Sequence, residues 1–331
     1  QFSANPWGFF DMHGNIWEWT ADWYQAAYPT GNPVVDPSGP ASGSYRVGRG
    51  GSWNRVGSDL RSAERITGIP SSRNNLMGFR VGFQFTGEHS VDLNSSVKLD
   101  MLWVEPGTFT MGSPTTEAGR QSDREDEHNV TLTQGFYLGK YEVTQAQYEA
   151  VIGANPSEFN ATGNSNRPVE NLSWAEAVAF CAQLTEQEQN AGRLPGDWAY
   201  LLPTESQWEY ACRASTSTAY SWGNDINATL ANYEQSGLSQ TQEVGLLAPN
   251  PFGFYDIHGN VREWTLDWFD TSYPSGPVED PAGPSSGSRR VSRGGSWDDP
   301  GMHLRSAKRT DDPPSNPRNC IGFRISLRKT N

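Results

Sequence analysis

From Leu99 to Ser113 the chain reads LDMLWVEPGTFTMGS. Apolar and polar positions alternate with period two, the pattern of a half-buried strand or hairpin. VTLTQGFYLGKYEVT (130–144) adds two more short strands. The period then changes to that of helices. Three helix starts carry a capping box, in which an N-cap hydroxyl takes the N3 amide and the N3 side chain reaches back. These are Thr144 with Gln147, Ser173 with Glu176, and Thr204 with Gln207. In the second helix Ala177, Val178, Cys181 and Leu184 fall on one face; in the third, Trp208 and Cys212 share one. Residues 84–98, QFTGEHSVDLNSSVK, are polar and read as a linker.

One pattern occurs twice. NPWGFFDMHGNIWEWTADWY starts at Asn5 and NPFGFYDIHGNVREWTLDWF at Asn250. The register continues through RGGSW, ending at Trp53 and Trp297, to MGFR and IGFR, ending at Arg80 and Arg324. Residues 5–83 and 250–327 therefore read as two versions of one unit, with a period far too long for a solenoid. The strands and helices before Asn250 have no counterpart before Asn5. The organisation expected is a second-half unit alone at 1–83, a linker at 84–98, and a complete domain at 99–331. The first unit carries Trp7, Trp17, Trp19, Trp23, Trp53, Phe9, Phe10, Phe79 and Phe83. Each large aromatic left in water forgoes roughly 1.5–3 kcal/mol of burial. Self-association or a complementing half-domain is therefore expected.

Composition narrows the function. The 331 residues hold 34 Gly and 22 Pro, so turns and loops are abundant, while 13 Trp can fill a core. The period and composition together give α+β, loop-rich. A net charge of −13 argues against a nucleic-acid partner, which needs a basic face. No apolar run reaches the roughly 18 residues that would span a membrane. The chain starts at Gln1 without a secretion signal, as a mature form or a fragment would, so an export signal removed earlier is compatible with it. Cys181, Cys212 and Cys320 show no CxxC and no zinc spacing; one disulfide plus a thiol, or three buried thiols, both fit.

Eight motifs in order carry a resemblance: VEPGTFTMGS (104–113), YLGKYEVTQAQY (137–148), RPVENLSWAEAVAFC (167–181), LLPTESQWEYACRAS (201–215), FGFYDIHGNVREWTLDW (252–268), RRVSRGGSW (289–297), RSAKR (305–309) and IGFRIS (321–326). The chain resembles the formylglycine-generating-enzyme, or sulfatase-modifying-factor, family. The resemblance implies a C-type-lectin-like fold, α+β and loop-rich, here with a duplicated C-terminal half-domain.

In catalytic members of that family, two cysteines after RGGS hold a copper(I) ion that activates oxygen to oxidise a substrate cysteine. Soft thiolates suit copper(I). Counting from Ser296 places those positions near Asp299 and Leu304; counting back from Arg305 reaches residues such as Gly301. The first copy offers Arg55 and Leu60. No register supplies a thiol, so no copper and no formylglycine synthesis are expected. Another branch makes sulfoxides with a non-haem iron held by histidines of a separate helical domain. His13, His89, His128, His258 and His303 lack the i, i+4 spacing of such a pair, and no iron site is expected. His13 and His258, which occupy the same place in the two copies, read as turn histidines bonding nearby backbone. The acidic run SDREDEH (122–128) reads as a solvated loop.

The resemblance also implies structural calcium. Its ligands would be the carboxylates of Asp256 and Glu263 with the carbonyls of Gly259 and Val261. In the first copy they would be Asp11, Glu18, Gly14 and Ile16. A further site would use Asn232 and the carbonyl of Tyr233. Calcium takes six to eight hard oxygens, and a glycine turn lets carbonyls point inward. The competing arrangement pairs Glu18 and Glu263 with Arg80 and Arg324. Two function classes follow. One is a non-catalytic, exported binding or structural module that recognises a protein or glycan or assembles with itself. The other is an oxidase-type enzyme of the same family with an unrecognised site. A further subgroup of this fold varies its ligand-binding residues between RGGSW and GFR. The two copies here differ most in that interval, at 54–59 against 298–303 and 67–73 against 311–318.

Overall fold

The computed structural model describes residues 5, 9–27, 39–40, 42–80, 87–273 and 276–330. Two units separate, residues 1–84 and 85–331. The first holds β1 (Trp17–Trp23), β2 (Arg46–Arg49), β3 (Ile66–Gly68) and β4 (Met77–Phe79), in the order β3-β2-β1-β4. β1 runs antiparallel to β2, with Glu18 opposite Arg49, and parallel to β4. Trp7 and Phe83, expected among its aromatics, lie outside the described residues.

The second unit starts inside the stretch expected as a linker. β5 (Glu88–Asp92) pairs along its whole length with β6 (Lys98–Val104). The turn between them is closed by Asn94, whose Oδ1 accepts the Ser96 and Val97 N–H groups. Of β5 only Val91 is fully buried, which is why an edge strand reads as polar linker. β6 and β7 (Gly107–Met111) do not form a hairpin together. β6 also pairs with β9 (Phe136–Gly139), while β7 pairs with β8 (His128–Leu132). The break falls at Glu105–Pro106, where proline has no N–H to continue a ladder.

All three capping boxes are present. α1 (Gln145–Ile152), α2 (Trp174–Asn190) and α3 (Glu205–Arg213) start after Thr144, Ser173 and Thr204, with both halves of each box made. α2 buries Ala177, Phe180, Cys181 and Leu184, and Val178 is half-buried at the margin. α3 departs from the amphipathic pattern. Trp208 and Cys212 are fully buried, and so are Glu205, Glu209 and Arg213.

The remaining strands are β10 (Trp198–Leu201), β11 (Arg262–Trp268), β12 (Val278–Glu279), β13 (Arg290–Arg293), β14 (Thr310–Asp312), β15 (Ile321–Phe323) and β16 (Ser326–Lys329). Three sheets result: β10-β16-β9-β6-β5, β14-β13-β11-β15 and β12-β8-β7. One apolar cluster lies under α1 and α2, with Tyr148, Phe180, Trp264 and Phe323. A second surrounds Trp208 of α3, with Met111, Phe136, Phe254 and Ile257. The sheet β14-β13-β11-β15 has the same order and register as that of the first unit. Glu263 faces Arg293, Trp264 faces Ser292 and Trp268 faces Arg290, as Glu18, Trp19 and Trp23 face Arg49, Gly48 and Arg46.

Candidate functional site

The D-x-H-G-N loop leads into β11 through a tight left-handed turn. Asp256 and Asn260 have φ of 53° and 63°, and Gly259 has 100°. A Cβ on Gly259 would lie 2.4 Å from the Asn232 carbonyl oxygen, so the close approach requires glycine. His258 donates from Nδ1 to the Leu304 carbonyl (2.7 Å) and accepts the Ser221 N–H at Nε2 (3.2 Å). His13 makes the equivalent bond to Leu60 (2.6 Å). The paired histidines thus tie their turn to the segment after RGGSW. Cys212 Sγ lies 3.5 Å from His258 Nε2. Burial lowers the imidazole to about 4 and pushes the thiol up to about 12. Both groups are neutral near pH 7, so they are no thiolate–imidazolium pair.

Each loop glutamate faces an arginine. Arg324 donates to both oxygens of Glu263 (2.9–3.2 Å), and the Trp208 indole adds a bond of 2.8 Å. Arg80 grips Glu18 at 2.7 and 3.1 Å. Asn232 Oδ1 accepts from Ser236, its Nδ2 donates to Gln240 and Asn260, and the Tyr233 carbonyl accepts from Ser236. Among the described residues no three His, Cys, Asp or Glu side chains gather to hold a metal. In the Asn232–Tyr233 pair both oxygens already accept from Ser236, and in the first loop Asp11 is exposed. The second loop keeps unmatched charge. Glu142, Asp256 and Glu263 are all buried, and one guanidinium, Arg324, acts on all three. Burial, then Asp256 and Glu263, pushes Glu142 well above the usual carboxylate range. Burial raises Asp256 to about 6 against the opposing pull of the Gly245 N–H and Arg324.

After RGGSW, Asp299 is one of the residues near which the resemblance places a cysteine, with Leu304 and, counted back from Arg305, Gly301. It is buried, and Arg262 donates to it twice (2.7 and 2.5 Å), with Ser296 and His303 at 2.7 and 3.0 Å. Against the cost of burial, His303 and Arg262 hold its carboxyl far below the usual range. Leu304 is fully buried beneath Tyr220 and Tyr233. Cys181, Cys212 and Cys320 are free and buried.

Charge, invisible to the helix pattern, organises the rest of the site. Arg309 grips Glu205 at 2.6 and 2.8 Å. Arg293 donates to Glu209, which also accepts from Arg213 (2.9 Å). Arg305 grips Glu125 (2.9 and 3.0 Å) and Glu117 (2.5 Å). Glu125 belongs to the acidic run expected to be solvated, yet it is fully buried. Its guanidinium partner lies 180 residues away, out of reach of any local pattern.

Beside this network is a cavity of about 500 Å³ lined by Glu205, Asp267, Trp268, Tyr273, Arg309 and His128, among others. Asp267 accepts the Glu205 N–H (2.7 Å), and burial together with the Glu205 charge pushes it up to about 7. Tyr273 donates to Glu205 (3.3 Å) and stacks beneath the Arg309 guanidinium at 4.1 Å. A half-titrating carboxylate and an aromatic wall can bind a polar ligand or move a proton. Nothing in the motifs marks Asp267 as special, since its shift arises from α3 packed against it.

A family described as the sulfatase-modifying factor enzyme 1-like domain matches residues 1–84 and 91–329. Formylglycine-generating enzyme of Mus musculus is 27% identical over 293 residues, covering 68% of this chain and 74% of its own. Serine/threonine-protein kinase pkn1 of Chlamydia caviae is 43% identical over 256 residues, covering 69% of this chain and 38% of its own. Among solved structures, Treponema denticola variable protein 1 aligns with a TM-score of 0.64 at 31% identity, over 73% of this chain and 99% of that one. PvdO from Pseudomonas aeruginosa aligns with a TM-score of 0.63 at 26% identity, over 72% and 97%.

Proposed function

The chain belongs to the sulfatase-modifying factor family, and from that premise we propose that it is a member without the oxidase chemistry. It acts as an exported binding or structural module that recognises a protein or glycan or assembles with itself. The observation that carries this reading is Asp299. A carboxylate locked to Arg262 stands near where the resemblance asks for a thiolate, and oxygen donors are poor ligands for copper(I). The test supplies copper(I) and a cysteine-containing peptide and follows oxygen uptake. No uptake is expected; turnover overturns the reading.

Binding is assigned to the 500 Å³ cavity and to the segments 298–303 and 311–318, where the two copies differ most. A structural neighbour is named a variable protein, which accords with a fold that tolerates exchange in such segments. A glycan and peptide array identifies the ligand. The enzymatic alternative has one observation in its favour, Asp267, a carboxyl near neutrality in a cavity that suits a general base.

Calcium enters this reading at the second loop only. Three buried carboxyls, of Glu142, Asp256 and Glu263, around the single guanidinium of Arg324 offer the oxygens and the latent charge that a divalent cation takes. Asp256 and the carbonyls of Gly259 and Val261 would hold it, with Glu142 balancing its charge. Bound there, it would cross-link the turn to the start of β11.

A further inference from the structure

The second unit displays what covers the sheet that both units share. Phe323, fully buried, packs its ring on Phe180 of α2 (5.3 Å) and Tyr148 of α1 (6.3 Å). Its counterpart Phe79 is 73% exposed. Phe254 and Ile257 are 1% and 2% exposed beside Trp208 of α3, whereas Phe9 and Met12 are 48% and 37% exposed. Thr265, Val291 and Arg293 lie under α3 and are buried. Of their counterparts Val47 stays buried, while Thr20 and Arg49 are only half-buried, and all three line an open depression of about 210 Å³.

The difference extends to charge. In the second unit Arg293 donates to the carbonyls of Ser306, Ala307 and Lys308 and to Glu209. Arg49 keeps the carbonyl bonds, to Ser62 and Glu64, and among the described residues it makes no ion pair with a carboxylate, Glu18 opposite it being held by Arg80. Glu263 takes the Trp208 indole as well as Arg324; Glu18 takes Arg80. Glu18 and Arg49 are opposite each other, as Glu263 and Arg293 are. One helix with Glu-x-x-Trp-Glu spacing, as at 205–209, therefore answers both positions in the second unit. In the first, both positions lack it.

We propose that this face of the first unit docks a partner polypeptide folded as residues 99–250 are. That partner presents a helix whose tryptophan reaches Glu18 and whose following glutamate reaches Arg49, and aromatic side chains from two further helices over Phe79. Residues 99–250 of this chain cannot serve without leaving their own sheet, because Tyr148, Phe180, Trp208 and Glu209 are already buried against it. An exposed aromatic patch rimmed by charge is the usual mark of such an interface.

The test uses the full chain carrying Phe79→Cys, an exposed position, against native thiols that are all buried. A second protein carries the same chain with an additional copy of residues 99–249 joined ahead of Asn5. Thiol labelling of the introduced cysteine is compared, together with hydrogen exchange of residues 46–49 and 77–79. Coverage should slow labelling about 100-fold, since reaction then requires local opening. Glu209→Lys in the added copy alone should reverse much of that protection. Equal labelling in the two proteins overturns the proposal, and so does an added half whose helical amides stay unprotected. Labelling of the unextended chain that slows with protein concentration also overturns it, in favour of self-association through the same face.

Discussion

Replacing Arg324 with methionine and, separately, Arg80 with methionine sets one interaction in two environments. Both arginines hold the glutamate of the same turn. The Arg324–Glu263 side chains are 0% and 1% exposed; those of Arg80 and Glu18 are 39% and 20%. Breaking a buried pair by removing one partner costs about 3–5 kcal/mol, because the other charge is left stranded. A solvated pair is worth about 0–1 kcal/mol. Methionine fills much of the volume of Arg324, so the loss reports charge rather than a cavity. Arg324 also donates to the Gly139 and Tyr255 carbonyls (2.8 Å each), which places its loss at the upper end. For a unit of this size about 2–4 °C is lost per kcal/mol, so Arg324→Met should lower the melting temperature by roughly 6–20 °C. Arg80→Met should leave the second unit's transition where it is. The pH dependence adds a second constraint. Without Arg324, Glu142, Asp256 and Glu263 repel unopposed, and protonation relieves them. The deficit of Arg324→Met should therefore shrink between pH 8 and pH 5. Scanning calorimetry at both pH values reads all of this. Equal costs for the two substitutions, or an Arg324→Met deficit that grows as pH falls, would refute the reasoning.

Ser173→Ala and Thr204→Ala should each cost about 1 kcal/mol in urea unfolding through the lost N-cap, and unchanged midpoints would show that tertiary packing alone fixes those helix starts. If the second loop holds calcium, a chelator should lower the melting temperature, since a ligand at 100 times its dissociation constant contributes about 2.7 kcal/mol; an unchanged melt removes calcium from the proposal. Asp267, at about 7 in the folded chain against an ordinary 3.8, binds its proton more tightly when folded, so its contribution to stability falls as pH rises from about 4 to about 7. His258, lowered to about 4, acts in the opposite sense between about 4 and 6.5. Asp267→Asn should therefore gain stability relative to the parent on going from pH 5 to pH 8, and a difference independent of pH would contradict the assigned shift.

The helices were legible because their signals are local. A capping box spans four residues, and Thr144, Ser173 and Thr204 each needed no tertiary partner to define a start. The strand at 88–92 was not legible, because a polar edge strand is held by its neighbour rather than by its own composition. The stretch 99–113, expected as a strand or hairpin, holds two strands that do not pair with each other, for a similar reason. Period two identifies strands but not their partners, and the two strands go to different sheets. That the segment 293–309 holds no cysteine is read from the sequence directly. The site itself was the least legible part. Asp267 titrates near neutrality because Glu205 is packed beside it from 62 residues away, and sequence spacing carries no trace of that contact.

The hidden charges also bear on why the two halves of this fold recognise each other. An apolar seam between α3 and the sheet would accept many helices of the right bulk, since hydrophobic burial is non-directional. Arg293, Arg305 and Arg309 make the seam selective. Each is buried, and each is matched by a glutamate from the other half: Glu209, Glu125 and Glu205. A half lacking those carboxylates, two on α3 and one in the run 122–128, would leave a guanidinium buried and unpaired, a penalty larger than most apolar contacts supply. The pairs thus add little to net stability while excluding wrong partners. The first unit keeps Arg49, Arg61 and Arg65 at the same three positions. Arg49 stays half-buried, and Arg61 is exposed and paired with Glu64, so the want of a carboxylate from another half costs little there. Docking a helix there would move that cost into play, so the acidic spacing of the incoming half, rather than its apolar content, would decide whether it stays.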